Sequence, residues 1–426
     1  MRQTEVATEE RGRVAHLLRR TGFGATAAEI DAALDRGYVA TVDRLIDGAD
    51  PGADAVPAPK LTRPPFPVRA DEWQTEADAL TLWWLRRMIC STNPLREKLT
   101  LFWHGYFPTS LERVHWPAAM LDQNEMFRDL ATAHFDTLAQ AVTTDLAMLL
   151  CTGGLHSDVT APDLHLAHAL LERFTLGPGR FTRTDVEETA RALTGWVIDR
   201  GTGHVRFDAA RFDAGQKRVL GQVGHLHAAD VVHAAVEHPA CAPYVASRLW
   251  SALAYPIRPT DRLAQELGDR FLDADYEIGE LLFDILVHPQ FHSSYARSAL
   301  VKTPLEWTLS VHRALAITPR PATVRMLEKL DYVPFRPPGI AGWPTGPDWL
   351  QRWPARARLQ LVNDVVAEAD LRWIADVMPW RRPQLLATAL GLPGWSTSTA
   401  RALDSVAGDA FRVTALAVSA PEFMMA

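Results

Sequence analysis

Cysteine is scarce: Cys90, Cys151 and Cys241 are the only three in 426 residues, and they lie far apart. That spacing offers neither a disulfide framework nor a CxxC pair for a structural zinc, and it suits a reducing compartment. Long apolar runs are also missing. The opening "MRQTEVATEERGRVAHLLRR" has no apolar signal region, and no uninterrupted run approaches the roughly 18 residues of a membrane span. The expectation is a cytoplasmic chain without a membrane segment. Nor does one sign of charge dominate. Charged residues make up 22% with a net charge of −7, mixed along the chain, so there is no basic footprint for nucleic acid. GxSxG, P-loop and GxGxxG patterns are absent too, which leaves elbow-type serine hydrolases, P-loop NTPases and dinucleotide-fingerprint dehydrogenases without support.

What is present is helical periodicity in a chain that is 47% apolar, enough to bury a large core. "RVAHLLRRTGFG" puts Val14, Leu17 and Leu18 on one face and stops at Gly22; Thr26 and Glu29 then read as a capping box. The proline-rich "PGADAVPAPKLTRPPFP", Pro51 to Pro67, is expected to be an extended connector. The expected organisation is therefore a helical unit over 1–50, a connector over 51–70 and a main helical body over 71–426. Within that body Asn93 and Pro94 read as N-cap and first helical position, and Thr184 with Glu187 as a second capping box. Strand signals are sparse. "HVRFDAARFDAGQKRVLG", around 199–222, is the best candidate for a short hairpin or a long crossing loop. The fold class expected is all-α: a large, bundle-like, multi-helix fold with long loops and at most one small β-hairpin.

Several constellations carry chemistry. In "APDLHLAHALLERFTLG", His165, His168 and Glu172 fall within about 60° of one another on a helical wheel, opposite Ala167, Leu170, Leu171 and Phe174. Two imidazoles and a carboxylate suit a divalent metal such as zinc or iron, although the same face also fits the wet side of an amphipathic helix. His104 in "LFWHGYFPTS" sits among aromatics, where burial would lower its pKa and make it a candidate base, or where it would simply donate to a backbone carbonyl. Asp213 and Lys217 stand four apart as a carboxylate–amine pair or a surface bridge. Trp343 and Trp349 mark a Pro/Gly loop that either lids a site or packs onto the core.

Eight co-linear segments, from "HLLRRTGFG" and "REKLTLFWHGYF" through "ERFTLGPGRFTRTDVEETARALTGW" and "DAGQKRVLG" to the terminal "SAPEF", resemble the bacterial family catalogued as domain of unknown function 1800. The resemblance implies a large, mostly helical protein, often encoded beside a partner of the domain of unknown function 1501 type, itself similar to alkaline phosphatases and sulfatases. It also implies a polar site with candidate catalytic positions at His104, Glu172, Asp185, Asp213 and Lys217. This chain departs from the pattern. Gly153 stands where the family has aspartate, Leu155 and Ser157 at its glutamine and asparagine, and Asp163, Leu164 and His165 at its Asn-Glu-Asn. His168 and Ala169 replace an arginine and a glutamate, and Tyr106 and Phe212 replace two histidines. Glu172 is retained. The expectation is a degenerate site on a non-catalytic protein that binds or supports a partner. The alternative is a metal- or acid/base-assisted hydrolase with His165, His168 and Glu172 as ligands.

Overall fold

The computed structural model describes residues 2–63, 72–199, 201–339, 342–344 and 355–425, without side-chain detail for 2–8, 72 and 355–359. Helices dominate, and among the described residues strands form only two small antiparallel pairs. The N-terminal helices α1 (Arg2–Arg20), α2 (Ala27–Arg36) and α3 (Tyr38–Asp47) follow the punctuation read from the sequence. Thr26 and Glu29 form the expected capping box. These helices do not stand apart: His16 Nε2 donates to the Phe291 carbonyl at 2.9 Å and the Tyr38 hydroxyl to the Leu286 carbonyl at 2.8 Å.

Three local expectations need correction. The segment after α3 is not extended throughout, because Asp50 caps a short helix α4 (Pro51–Asp54) with proline at its first position. Proline is welcome there, since its missing N–H would have had no partner in the first turn. Residues 57–63 are irregular, and Pro64 to Pro67 fall outside the described residues. Asn93 is no N-cap. Its amide donates to the Arg44 and Gly48 carbonyls at 3.1 and 2.7 Å, closing the end of α3, while Pro94 takes the cap position of α6 (Leu95–Tyr106). Finally, the capping box near residue 184 is Thr182 with Asp185, not Thr184 with Glu187. The chain enters that helix still extended at Thr182 (φ −99°, ψ 166°), and Glu187 instead bonds Arg183 at 2.8 Å.

Two large apolar clusters and a small one between α1 and α2 make the core; α5 (Glu72–Cys90) contributes to one of the large clusters and α6 to both. One gathers Trp103, Phe107, Phe127 and Phe135 with the helices of 228–287; the other gathers Trp84, Trp307, Phe335 and the C-terminal helices. Each fully buried aromatic contributes about 1.5–3 kcal/mol of transfer free energy. Glu97 bridges the clusters as a buried anion. It accepts from Trp84 Nε1 at 2.8 Å, Arg87 Nε at 2.9 Å and Arg128 Nε at 2.7 Å. Burial would raise its pKa, but Arg128 and then Arg87 hold it below the ordinary carboxylate range.

The segment expected to hold one hairpin holds two strand pairs. β1 (Trp196–Ile198) pairs with β2 (Val205–Phe207), and β3 (Lys217–Val219) with β4 (Gln222–Gly224). Leu220 and Gly221, both at positive φ (50° and 89°), make the tight link from β3 to β4, whose twist matches the strands.

Candidate functional site

The stretch from Gly153 to Gly177 begins where the helix Leu146–Thr152 ends on Gly153 in the left-handed region, φ 87°. A Cβ at Gly153 would stand 3.0 Å from Asp163 Oδ2. Asp163 thus brings a carboxylate to the space a side chain at 153 would enter, the position at which the family carries aspartate. The Asp163 carboxylate also caps the next helix, accepting the His165 N–H at 2.7 Å, while its own N–H donates to Ser157 Oγ at 3.0 Å.

The helix that follows is α only from Leu164 to Ala169; from Leu170 to Leu176 it widens to a π-helix. Hydroxyl groups take up three carbonyls there. Thr175 Oγ1 donates to Leu170 O at 2.6 Å, Tyr106 Oη to Phe174 O at 3.0 Å, and Tyr244 Oη to Arg173 O at 3.1 Å. π-Turns are uncommon and often mark functional positions. Glu172 lies within this one.

As the wheel predicts, Ala167, Leu170, Leu171 and Phe174 are buried, and Leu166 is buried beside them. The polar face divides into two separate pairs. His165 is 86% exposed and its Nδ1 lies 2.7 Å from Asp163 Oδ1, while His168 Nδ1 lies 3.1 Å from Glu172 Oε2 with its ring edge-on to Phe181. Among the described residues no three His, Cys, Asp or Glu side chains gather in a way that would hold a metal ion.

The other retained positions form a second polar group. Asp185 closes the capping box at the start of the helix Arg183–Ala192, and its Oδ1 accepts the Leu220 N–H at 2.8 Å. Hydrogen bonds from Thr182 and Leu220 outweigh partial burial and keep its carboxyl below the usual range. Asp213 does not bridge to the Lys217 ammonium. Its carboxylate takes both Arg191 Nε and Nη2, at 2.7 and 3.1 Å, which lowers its pKa. The Arg191 Nη1 meanwhile reaches both oxygens of Glu188. Lys217 is 1% exposed, and its Nζ donates to the backbone carbonyls of Asp213 and Gly215 at 2.5 and 3.1 Å. The Phe212 ring lies 4.6 Å below that ammonium and stacks at 4.4 Å on His227. The histidine-to-phenylalanine change of the resemblance thus supplies a π face to a buried cation.

His104 belongs elsewhere, enclosed by Trp84, Phe335 and Trp343 at ring distances of 5.3–5.7 Å. Burial pushes its pKa down to about 3, and its Nε2 finds no hydrogen-bond partner. Trp343 packs down, stacked on Tyr332 at 5.2 Å; Trp349 falls outside the described residues.

Sequence reasoning overlooked a cleft of about 540 Å³ lined in part by Thr109, Arg113, Cys151, Asp331 and Arg336. Its residues come from stretches more than 150 positions apart, so no local spacing announces it. Burial raises the Cys151 thiol pKa, so the cleft does not hold a poised thiolate.

Fold and site together define a large helical protein whose π-turn segment lies alongside a capped helix and a small strand-paired insertion. The chain belongs to the family described as protein of unknown function (DUF1800), whose model matches residues 16–425. No curated protein and no solved structure matches. No helix among the described residues is long and apolar enough to cross a membrane.

Proposed function

We propose that this chain is a degenerate-site member of its family, a non-catalytic cytoplasmic protein that binds or supports a protein partner. The single observation that carries the reading is the engagement of Lys217. Its ammonium is enclosed by two backbone carbonyls and an aromatic ring, so it organises the 208–224 insertion instead of meeting a substrate. Asp185 and Asp213 are similarly engaged, with the Leu220 N–H and with Arg191. Where the family's polar loop lies, this chain exposes apolar groups: Val159 and Leu164 are each 45% exposed. Apolar groups at such a place suit a protein contact better than acid–base chemistry.

The partner proposed is the phosphatase- or sulfatase-like protein of the domain of unknown function 1501 type that such families are encoded beside. Coexpressed with it, the chain should elute as a complex that V159D/L164D weakens. A chain that elutes alone at micromolar concentration refutes the reading.

The two imidazole–carboxylate pairs, His165 with Asp163 and His168 with Glu172, favour a second reading, a metal- or acid/base-assisted hydrolase built on those pairs and without His104, which is enclosed by aromatic rings. Protein purified without chelator or histidine tag would then carry near-stoichiometric zinc, iron or manganese, and H165A/H168A would lose it. Metal-free protein removes the metal-assisted form.

A further inference from the structure

The motif "HLLRRTGFG" closes α1, and none of the chemistry above uses it. Its side chains meet residues 291–302 and the C-terminal helices. His16 is fully buried with Nε2 on the Phe291 carbonyl, which leaves Nδ1 without a partner. Arg20, 2% exposed, gives one Nη2 bond to the Ala296 carbonyl, while its Nε and Nη1 reach neither an acceptor nor solvent. Arg297 Nε is equally unpartnered. Arg19 Nη1 donates to the Gly391 carbonyl at 3.2 Å, and Lys302, 3% exposed, donates to the Phe423 carbonyl at 2.7 Å. Among the described residues the carboxylate facing these groups is Glu306, which already pairs with Lys98 and closes a capping box with Thr303.

Among the described residues five cations (Arg19, Arg20, Lys98, Arg297, Lys302) thus stand against one carboxylate, a formal excess of four positive charges, with Arg19 in electrostatic reach of Arg20, Arg297 and Lys302. Buried charge without a counter-charge, and buried N–H groups without acceptors, are both costly. Both costs are relieved together by an oxygen-rich anion. Backbone carbonyls already hold one donor of Arg19, Arg20 and Lys302, which fixes the cations in place and leaves their other N–H groups for a ligand.

We propose that the cations between the C-terminal half of α1 and residues 296–302 bind a small free oxyanion of the phosphate class. A divalent anion matches the excess of charge better than a single carboxylate. Arg297 is the half-buried member of the cluster and lies against Gly12; a Cβ at Gly12 would be 3.5 Å from its Nη1. Burial, with Arg19 adding to it, holds the Lys302 pKa well below its ordinary value in the empty protein. An arriving anion favours the charged ammonium.

The full-length chain is titrated calorimetrically with inorganic phosphate at constant ionic strength. A saturable heat is expected, with a melting temperature that rises with phosphate but not with matched chloride. R297Q changes only a half-buried residue and should weaken binding about tenfold or more, as expected for losing a hydrogen bond to a charged group. R297K should recover part of the affinity, and K302M, which removes a cation from the cluster, should weaken binding. AMP should fail to displace phosphate from so enclosed a place. Absence of a saturable heat, equal affinity in wild type and R297Q, or displacement by AMP each overturns the proposal.

Discussion

The Tyr106 hydroxyl donates to the Phe174 carbonyl at 3.0 Å, joining the end of α6 to the π-turn that carries Glu172. Tyr106 is 3% exposed, so the bond lies away from water. Tyr106 thus fastens the backbone of the π-turn segment from a helix 68 positions away in the chain.

Y106F leaves that carbonyl buried without its donor. The expected loss is about 1–3 kcal/mol of unfolding free energy, the penalty for an orphaned buried acceptor. Urea denaturation measures it, and amide exchange should quicken over 170–177. Unchanged stability and exchange would mean that the bond contributes nothing.

R191M should cost about 1–3 kcal/mol, because it strips the counter-charge from Asp213 and Glu188 together. K217M should destabilise as well, since it orphans the Asp213 and Gly215 carbonyls. A thermal melt showing either variant as stable as the parent would count against a structural role for this group.

G153D should destabilise the chain through backbone strain at φ 87° and through repulsion between the new carboxylate and Asp163. Asn is as good an N-cap as Asp, so D163N alone should cost little, and the double variant G153D/D163N should recover part of the loss. A double-mutant cycle reads the coupling; strictly additive effects would separate the two positions.

Asp145 caps the helix Leu146–Thr152 by accepting the Met148 N–H, and Gln123 donates to the same oxygen at 2.6 Å. Burial nevertheless raises its carboxyl pKa from 3.8 to about 7. In that interval the folded chain holds a proton that the unfolded chain has released, so this group lowers stability as pH rises from 3.8 to about 7 and leaves it level above. D145N removes the titration. The stability difference between parent and D145N, followed by denaturant titration across pH 4 to 8, should move against the parent as pH rises; a flat difference contradicts it.

Much of the helical framework is legible along the chain because helix periodicity and caps are local. The capping box of Thr26 with Glu29 and the buried face of Leu166, Ala167, Leu170 and Phe174 depend on residues within a turn or two of one another. Misreadings fell where two local solutions compete. Thr182 with Asp185 and Thr184 with Glu187 both fit near a capping box, and Asn93 offers a cap group that the distant Arg44 and Gly48 carbonyls claim instead.

The candidate site divides in the same way. The polar identity of His165, His168, Glu172, Asp213 and Lys217, and their departures from the family pattern, are properties of the chain alone. Their partners are not. Arg191 reaches Asp213 across 22 positions, Tyr106 reaches Phe174 across 68, and Arg20 reaches Ala296 across 276. Sequence by itself determined which stretches coil into helices and which face each must bury, since those follow from dihedral preference and hydrophobic period over a few residues. Only the tertiary structure decided whether a charged side chain meets a counter-charge, a carbonyl or nothing, because in a dry interior that outcome depends on groups brought close by the packing of distant helices.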